Sequence, residues 1–566
     1  MPPPHPCRGG CVSGAGRRSF RRTRAGLAVV ATASAAAWVF GLGRARAGAA
    51  AAAAAAGAVA WLFGAGGTLF VGCLGGGGAA RGHEAPPGQR GLLAARAAGD
   101  GGPVPGAADA AALARAHEAW AEDRHAEAVR LYTEVLRLAG AEGPGPGSMQ
   151  PQDHLQSHAN LGSSYMVLAD ERPSAGGLAA LEGREGLLAA SLRHWRVAEA
   201  AGPSSPMLDY FLTSVARDLH LARAGVAAAR RSPHGEDERR GRGPHFEPMD
   251  RRAASELSYA EFLEQYVARG IPVVITGLAP GAPQWGWSLP FLEERCGGSM
   301  VPLKRLEPGA AGQDWAALGA AGPEGGRVPL REHLRAVASP GASGATAPML
   351  FDHALEDLCP DLLKDFVVPR YFAVDYLRTV PASERGGLQP LPARFPSLFV
   401  QPPGSRCGLH VDQAGTHFYQ MLLAGRKRWR VFPPEEAARL YPRRQGLMFE
   451  ADIFSPDLDK FPLLGTASGR EAVLGPGEAI FVPQNSPHQV QNEEATVAVS
   501  ANYVDGLGLE VSLAELELLS QGGAQPGYAA TAAALRRWAP AAGSGAPGDP
   551  GDLRWADFDR AAWMPA

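Results

Sequence analysis

Residues 409–429, LHVDQAGTHFYQMLLAGRKRW, set an imidazole and a carboxylate on either side of one valine. In extended backbone, residues i and i+2 point to the same face, so His410 and Asp412 project together. A third candidate ligand comes from GPGEAIFVPQNSPHQVQN. There a turn at Gly475-Pro476-Gly477 feeds a strand over 478–483, and a second turn, PQNSP, delivers His488 at the start of the next strand. Two histidines and one carboxylate leave other positions of an octahedral ion open, the donor set of non-haem Fe(II) chemistry with O₂. Alone, an HxD pair with a distant histidine is a weak signal, and the surrounding text has to decide.

Those residues need stiff supports, and the chain around them supplies short strands. RFPSLFVQPPG, THFYQMLLAG, KRWRVFPP, EAIFVPQNSP and ATVAVSANYVDG are β-branched or aromatic runs separated by Pro/Gly turns, the pattern of a sandwich or barrel. Period-2 alternation puts Lys427 on the side of Trp429 and Val431, which predicts its burial. On the strand from 496, Thr496, Ser500 and Asn502 share one face. His417 and Tyr419 alternate with Phe418 and Gln420, so one pair faces the interior of the strand layers. Tyr419 reads equally as a core aromatic or a substrate contact.

Further towards the N-terminus the texture is helical. From 109 to 229, apolar residues recur at helical spacing, as in Leu113, Ala116, Trp120 and then Ala128, Leu131, Tyr132, Val135. Asn160-Leu161-Gly162 with Tyr165, then Ala190, His194 and Pro203, is similar to the tetratricopeptide consensus; an unrelated helical bundle is the alternative. RRSPHGEDERRGRGP marks a charged linker over 230–246. Residues 81–108 are Gly/Pro/Ala-rich and predict a disordered linker.

The 566 residues suffice for two or three domains, and a net charge of −3 gives no whole-chain argument for nucleic acid. The six cysteines contain no CxxC pair, which argues against a zinc ribbon or a disulfide scaffold. Lysine occurs only at 304, 364, 427 and 460. Residues 1–47 hold eight arginines and no acid, followed by uncharged runs at 25–43 and 47–80. These resemble a secretory leader, or a bilayer span of about 20 residues. The expectation is a targeting leader or membrane anchor over 1–80, with membrane association through 25–80 or organelle targeting. A soluble intracellular protein is the alternative.

GLHVDQAGTHFYQMLLAGRKRWRVFPP and GEAIFVPQNSPHQVQNEEATVAVSANYV, with RGIPVVITGL, FDHALEDLCPDLLKDFVVPRYFAVDYL and FEADIFSPD, resemble the JmjC branch of the cupin-like oxygenases. The resemblance covers about 250–510. It implies a multidomain α + β chain in which the helical-repeat segment precedes a double-stranded β-helix (jelly-roll) barrel over 247–510. Flanking helices and a C-terminal helical tail over 511–566 complete it. It also implies Fe(II), with 2-oxoglutarate as cosubstrate and O₂, the metal falling on His410, Asp412 and His488. Lys427 matches the family's basic residue for the distal carboxylate of 2-oxoglutarate. Ser500 stands where a hydroxyl is expected, Gln420 where some relatives place an amide, and Asn502 lies on the same face as Ser500. Cys407 occupies a position where relatives often have Thr.

The resemblance thus implies a dioxygenase that hydroxylates a protein side chain, with the polypeptide recruited by the helical repeats. N-methyl-lysine demethylation at the same site and a non-catalytic scaffold with a structural barrel are the alternatives. The C-terminal helices could form a homodimer. No zinc-binding Cys/His spacing and no basic stripe near the barrel accompanies the motif, which weakens a histone-demethylase reading.

Overall fold

The computed structural model describes residues 107–560 apart from 140–150, 172–176, 204, 232–242, 306–318, 322–326, 340–343, 345–346, 382–383, 385–394, 444–445, 522–525 and 540–547. The expected leader or anchor over 1–80, with the linker before 107, lies outside the described residues. Among those that are described, no helix is long and apolar enough to cross a membrane. The expectation of a membrane-associated protein is corrected on that finding.

Five helices open the described chain: α1 (Ala107–Ala121), α2 (His125–Ala139), α3 (Pro151–Glu171), α4 (Leu178–Ala201) and α5 (Pro206–Arg231). Each packs on the next. The apolar spacing accounts for this. Trp120, Ala128, Tyr132 and Leu161 close one cluster, while Leu188, Trp195, Phe211 and Val215 close another. Gly162 is required where α3 meets α4, because a Cβ there would lie 2.7 Å from the Trp195 indole nitrogen. The closeness lets Trp195 stack on Phe211 at 4.5 Å.

Two sheets follow. The four-stranded sheet runs β1 (His245–Pro248), β8 (Ser468–Leu474), β7 (Lys427–Val431), β10 (His488–Asn492). In the seven-stranded sheet the order is β2 (Asp250–Ala253), β3 (Val273–Thr276), β9 (Glu478–Val482), β6 (His417–Ala424), β11 (Thr496–Tyr503), β5 (Ser397–Gln401), β4 (Leu350–Ala354). They are separate hydrogen-bonded ladders, so the expected barrel is seen as two facing sheets rather than one closed ring. Both contribute to one apolar cluster between them, including Phe399, Phe418, Leu422, Trp429, Val431 and Ile480. The far face of the larger sheet carries Tyr419, Phe481 and Tyr503, packed on Phe262, Tyr371 and Phe372. Between β6 and β7 the chain reverses at Gly425 (φ 80°), where a Cβ would fall 2.0 Å from the Ala495 carbonyl oxygen.

Helix α6 (Leu289–Cys296) ends in a disulfide to Cys359, 63 residues on. A short-range cysteine pattern carries no trace of such a bridge, so the argument against disulfides holds for scaffolds only. Helices α7 (Leu330–Ala338), α8 (Leu509–Gln521) and α9 (Pro526–Trp538) complete the flanks.

The helical segment is joined to the sheets by shared cores. Leu181 of α4 and Val226 of α5 lie in one cluster with Leu409, Val411, Leu440, Phe449 and Ile453. Arg217 of α5 grips Glu515 of α8 through two bonds of 2.9 and 2.8 Å. Arg443 donates to the Ala169 carbonyl at 2.9 Å and pairs with Glu450 at 2.5 Å. Leu181→Ala should therefore lower the stability of the full chain by about 2–4 kcal/mol, within a single urea transition monitored by both helical and tryptophan signals. Two separated transitions, with only the first one shifted, would show that the helices fold apart from the sheets.

Candidate metal centre and its cavity

Extended backbone between Leu409 and Asp412 divides four side chains between two faces. Leu409 and Val411 enter the cluster shared with α4 and α5, while His410 and Asp412 face the space between the sheets. The segment is not a ladder strand: His410 makes isolated bridges to Met448 and His488. The alternation expected of a strand survives because the backbone stays extended. His410 and His488 exchange both backbone hydrogen bonds, at 3.1 and 2.8 Å, which brings their rings to 4.3 Å between centroids.

The ligand atoms of His410, Asp412 and His488 all lie within 4.8 Å of one another, the one such group of three among the described residues. Each histidine is oriented by its own chain. His410 Nδ1 donates to the Gly408 carbonyl at 2.8 Å, and His488 Nδ1 to the Ser486 carbonyl at 2.9 Å. That assignment leaves both Nε2 atoms without a proton, each with a lone pair able to bind a cation. Asp412 Oδ1 lies 3.7 Å from His410 Nε2, while its Oδ2 accepts from the Asn502 amide at 3.1 Å. Two neutral imidazoles and a carboxylate fit a divalent ion such as Fe(II), with no thiolate in the set.

A cavity of about 880 Å³, counting its open mouth, adjoins the three residues. Its floor is deeply buried. Lys427 is 1 % exposed and donates from Nζ to Gln401 Oε1 at 2.6 Å, and no carboxylate of the described residues is paired with it. Burial pushes its pKa down to about 7. Cys407 lies close by, its thiol pushed up by burial but brought below its ordinary value by His410, the Val490 backbone and Lys427. An ammonium in an apolar floor needs an anion, and that anion would have to enter with a ligand.

The expected site residues separate into three groups. Lys427 and Gln420 line the cavity, and Gln420 Oε1 is buried without a partner. Ser500 is paired across the sheet with Gln420 and its hydroxyl is also unpartnered, but it is not among the cavity-lining residues. Asn502 does line it, yet its amide nitrogen is engaged by Asp412 and by Thr416 at 2.9 Å. Thr496 bonds Asn492 and stays off the wall. Tyr419 points the other way, stacked on Phe372 at 4.2 Å. His417 joins it on that face, 3.5 Å from Asp505. Gln401, Asn492, Phe399 and Asp352 line the cavity and were not foreseen. For the first two, the signal was the side of each strand that faces Lys427.

Residues 259–506 match the family model described as a cupin-like domain. "Lysine-specific demethylase JMJ21" of Arabidopsis thaliana is 29% identical over 262 residues, which are 44% of this chain and 25% of that protein. The "HSPB1-associated protein 1 homolog" of Danio rerio is 36% identical over 107 residues, 18% of this chain and 23% of that one. "Lysine-specific demethylase 8" of Danio rerio is 25% identical over 249 residues, covering 43% and 55% respectively. The chain thus matches between about a quarter and about half the length of these relatives. The family match begins at 259, so the tetratricopeptide resemblance of the helices gains no support from it.

Asn502→Ala keeps all three ligands, frees the second oxygen of Asp412 and removes the bond to Thr416. The affinity for Co(II), followed by its visible absorption in the full chain, should fall about 10–100-fold. An unchanged affinity would show that Asn502 does not orient the carboxylate.

Proposed function

The chain carries a cupin-like domain of the JmjC oxygenase type, and from that premise we propose that it is an Fe(II)- and 2-oxoglutarate-dependent dioxygenase hydroxylating a protein side chain. The observation that carries this reading is the pairing of a buried, uncompensated Lys427 with the three-residue metal face in one cavity. Fe(II) held there with 2-oxoglutarate supplies the activation of O₂, one oxygen atom leaving in succinate with release of CO₂ and the other entering a substrate C–H bond as hydroxyl.

This chain's residues perform the rest. His410 and His488 offer Nε2, and Asp412 offers Oδ1, in an arrangement fixed by backbone carbonyls and by Asn502. Lys427 binds the distal carboxylate of 2-oxoglutarate and takes the charge that its surroundings lack. Gln420 can turn its amide to donate to the same ligand, satisfying a buried group that is otherwise unpaired. Ser500 is paired with Gln420 across the sheet, and its unpartnered hydroxyl stands ready to bond that amide. Phe418 and Trp429 lie beside His488, with ring centroids at 6.3 and 5.8 Å, and keep water from the metal face. The helical segment is a surface for the polypeptide substrate.

Two relatives are named as lysine-specific demethylases, which favours a second reading, oxygenation of an N-methyl group followed by loss of formaldehyde. Product masses separate the two, since hydroxylation adds one oxygen atom and demethylation removes one methylene.

The full chain, loaded with Fe(II) without oxygen and then given O₂ and 2-oxoglutarate, should produce succinate. His410→Ala should abolish it, and Lys427→Ala should weaken 2-oxoglutarate binding by about 2–5 kcal/mol, roughly 30-fold or more. Iron that binds stoichiometrically to neither wild type nor variant would leave the helical scaffold as the function.

The Lys427 pKa of about 7 sets a pH dependence. Below it the ammonium is ready for a carboxylate; above it, binding must first return a proton. Affinity for 2-oxoglutarate should therefore fall as pH rises through about 7, with an uptake approaching one proton on the alkaline side and none on the acid side. Calorimetry in buffers of different ionisation enthalpy measures this uptake. Zero uptake at every pH would show that Lys427 does not meet the ligand's charge.

A further inference from the structure

The helical segment holds a histidine cluster that the metal face and its cavity do not use. His154 and His158 stand four residues apart in α3, so they rise from one face of that helix. His194 reaches them from α4. The ring centroids of His154 and His158 are 4.7 Å apart, and those of His158 and His194 5.0 Å. The Nδ1 atoms of His158 and His194 face each other at 2.8 Å. Tyr165 of α3 stacks on the His194 ring with centroids 5.6 Å apart and 11° between planes, which holds that ring in the seam.

All three imidazoles are half-buried. Burial, with the two neighbouring rings, pushes the His158 pKa down to about 4, and burial with Arg193 nearby lowers that of His194. Both are neutral near pH 7, the form that binds a metal. Two neutral rings can share one N–H across 2.8 Å, but such a bond does not call for a third imidazole one turn away. No carboxylate is among the groups acting on the charge of His158 or His194. Three imidazoles without carboxylate or thiolate are donors for Zn(II), Cu(II) or Ni(II) rather than Mg(II) or Ca(II). Among the described residues, three ligand atoms lie within 4.8 Å of one another only at His410, Asp412 and His488. In the helices two nitrogens already converge. His154, in the first turn of α3, completes the set by turning about its side-chain torsions.

We propose that His154, His158 and His194 form a second metal site, for Zn(II) or a like borderline ion, that staples α3 to α4. The seam it closes is the one in which Gly162 meets Trp195, the residue after His194. The site stands apart from the metal face. Leu181, by which α4 enters the cluster behind Leu409 and Val411, is roughly 20 Å from His194 along the helix axis. The inference does not rest on the oxygenase reading, since its ligands and its role belong to the helices.

The test equilibrates the untagged full chain with Zn(II), removes loose metal by gel filtration and counts the rest by mass spectrometry. Wild type should retain two equivalents, and His194→Gln and His410→Ala one each. His154→Ala should weaken the helical equivalent by more than about tenfold, since even loss of an outer-shell partner costs about 10–100-fold. Zn(II) should raise the melting temperature of His410→Ala, and not that of the double variant His410→Ala/His194→Gln. With Fe(II) alone, His194→Gln should form succinate at the wild-type rate. A single equivalent in wild type that His194→Gln retains, or a second equivalent unmoved by both His154→Ala and His194→Gln, overturns the inference. A single equivalent kept by His410→Ala and lost by His194→Gln would leave the helical site standing and overturn the metal face instead.

Discussion

Everything at this centre depends on two backbone hydrogen bonds. His410 and His488 are far apart in the chain, yet each amide donates to the other's carbonyl, at 3.1 and 2.8 Å. A reciprocally bonded pair fixes both the separation and the rotation of the two residues, so their side chains leave on one side. The rings therefore face each other as soon as that bridge is in register. Each is held by a carbonyl two residues earlier in its own segment. Asp412 follows because extended backbone returns to the same face at i+2. The metal face is in this sense a consequence of one antiparallel bridge, and the two sheets serve to hold that bridge still.

The floor of the cavity obeys a different constraint. Lys427 lies in β7 between Arg426 and Arg428, which face solvent and pair with Glu493 and Glu471. Strand alternation turns either the lysine or its two arginine neighbours inwards, and here it is the lysine. An ammonium has a pKa that burial can move to about 7, whereas a guanidinium would stay charged and demand a permanent partner. The floor can thus be neutral when empty and charged when an anion is present. Gln401 and Asn492 maintain polarity there without supplying charge: Gln401 accepts from Lys427, and Asn492 is held by Ser405 and Thr496.

What could be read from the sequence was what depends on local period. The inward face of β7, the HxD alternation and the turn before His488 each follow from spacing within one short segment. The family resemblance added the expectation of a metal and a cosubstrate. Contacts between strands were not readable in this way. Gln401 meets Lys427 from β5, and no motif links them. Asn502 was expected at the cosubstrate because it shares a face with Ser500, but face does not fix reach, and its amide bonds Asp412. Asp352 depends on a register shift between β4 and β5, which period-2 reasoning assumes away. The Cys296–Cys359 bridge joins elements whose approach is set by tertiary packing. The membrane expectation rested on composition in a region outside the described residues, and no described helix supports it.

The helices have a second consequence for the metal face. Leu409 and Val411 alternate with the two ligands of the same segment, so the residues that α4 and α5 cover are interleaved with those that face the cavity. A slip of one residue in this segment would turn Val411 inwards and a histidine into the apolar cluster, exchanging all four roles at once. Leu181 and Val226 oppose that slip, because the cluster they complete accepts only the apolar pair. His410 makes isolated bridges here rather than a continuous ladder, so its register relies on this packing more than a strand's would. The helical segment is thereby part of what keeps the ligands aimed, whatever else binds to its outer surface.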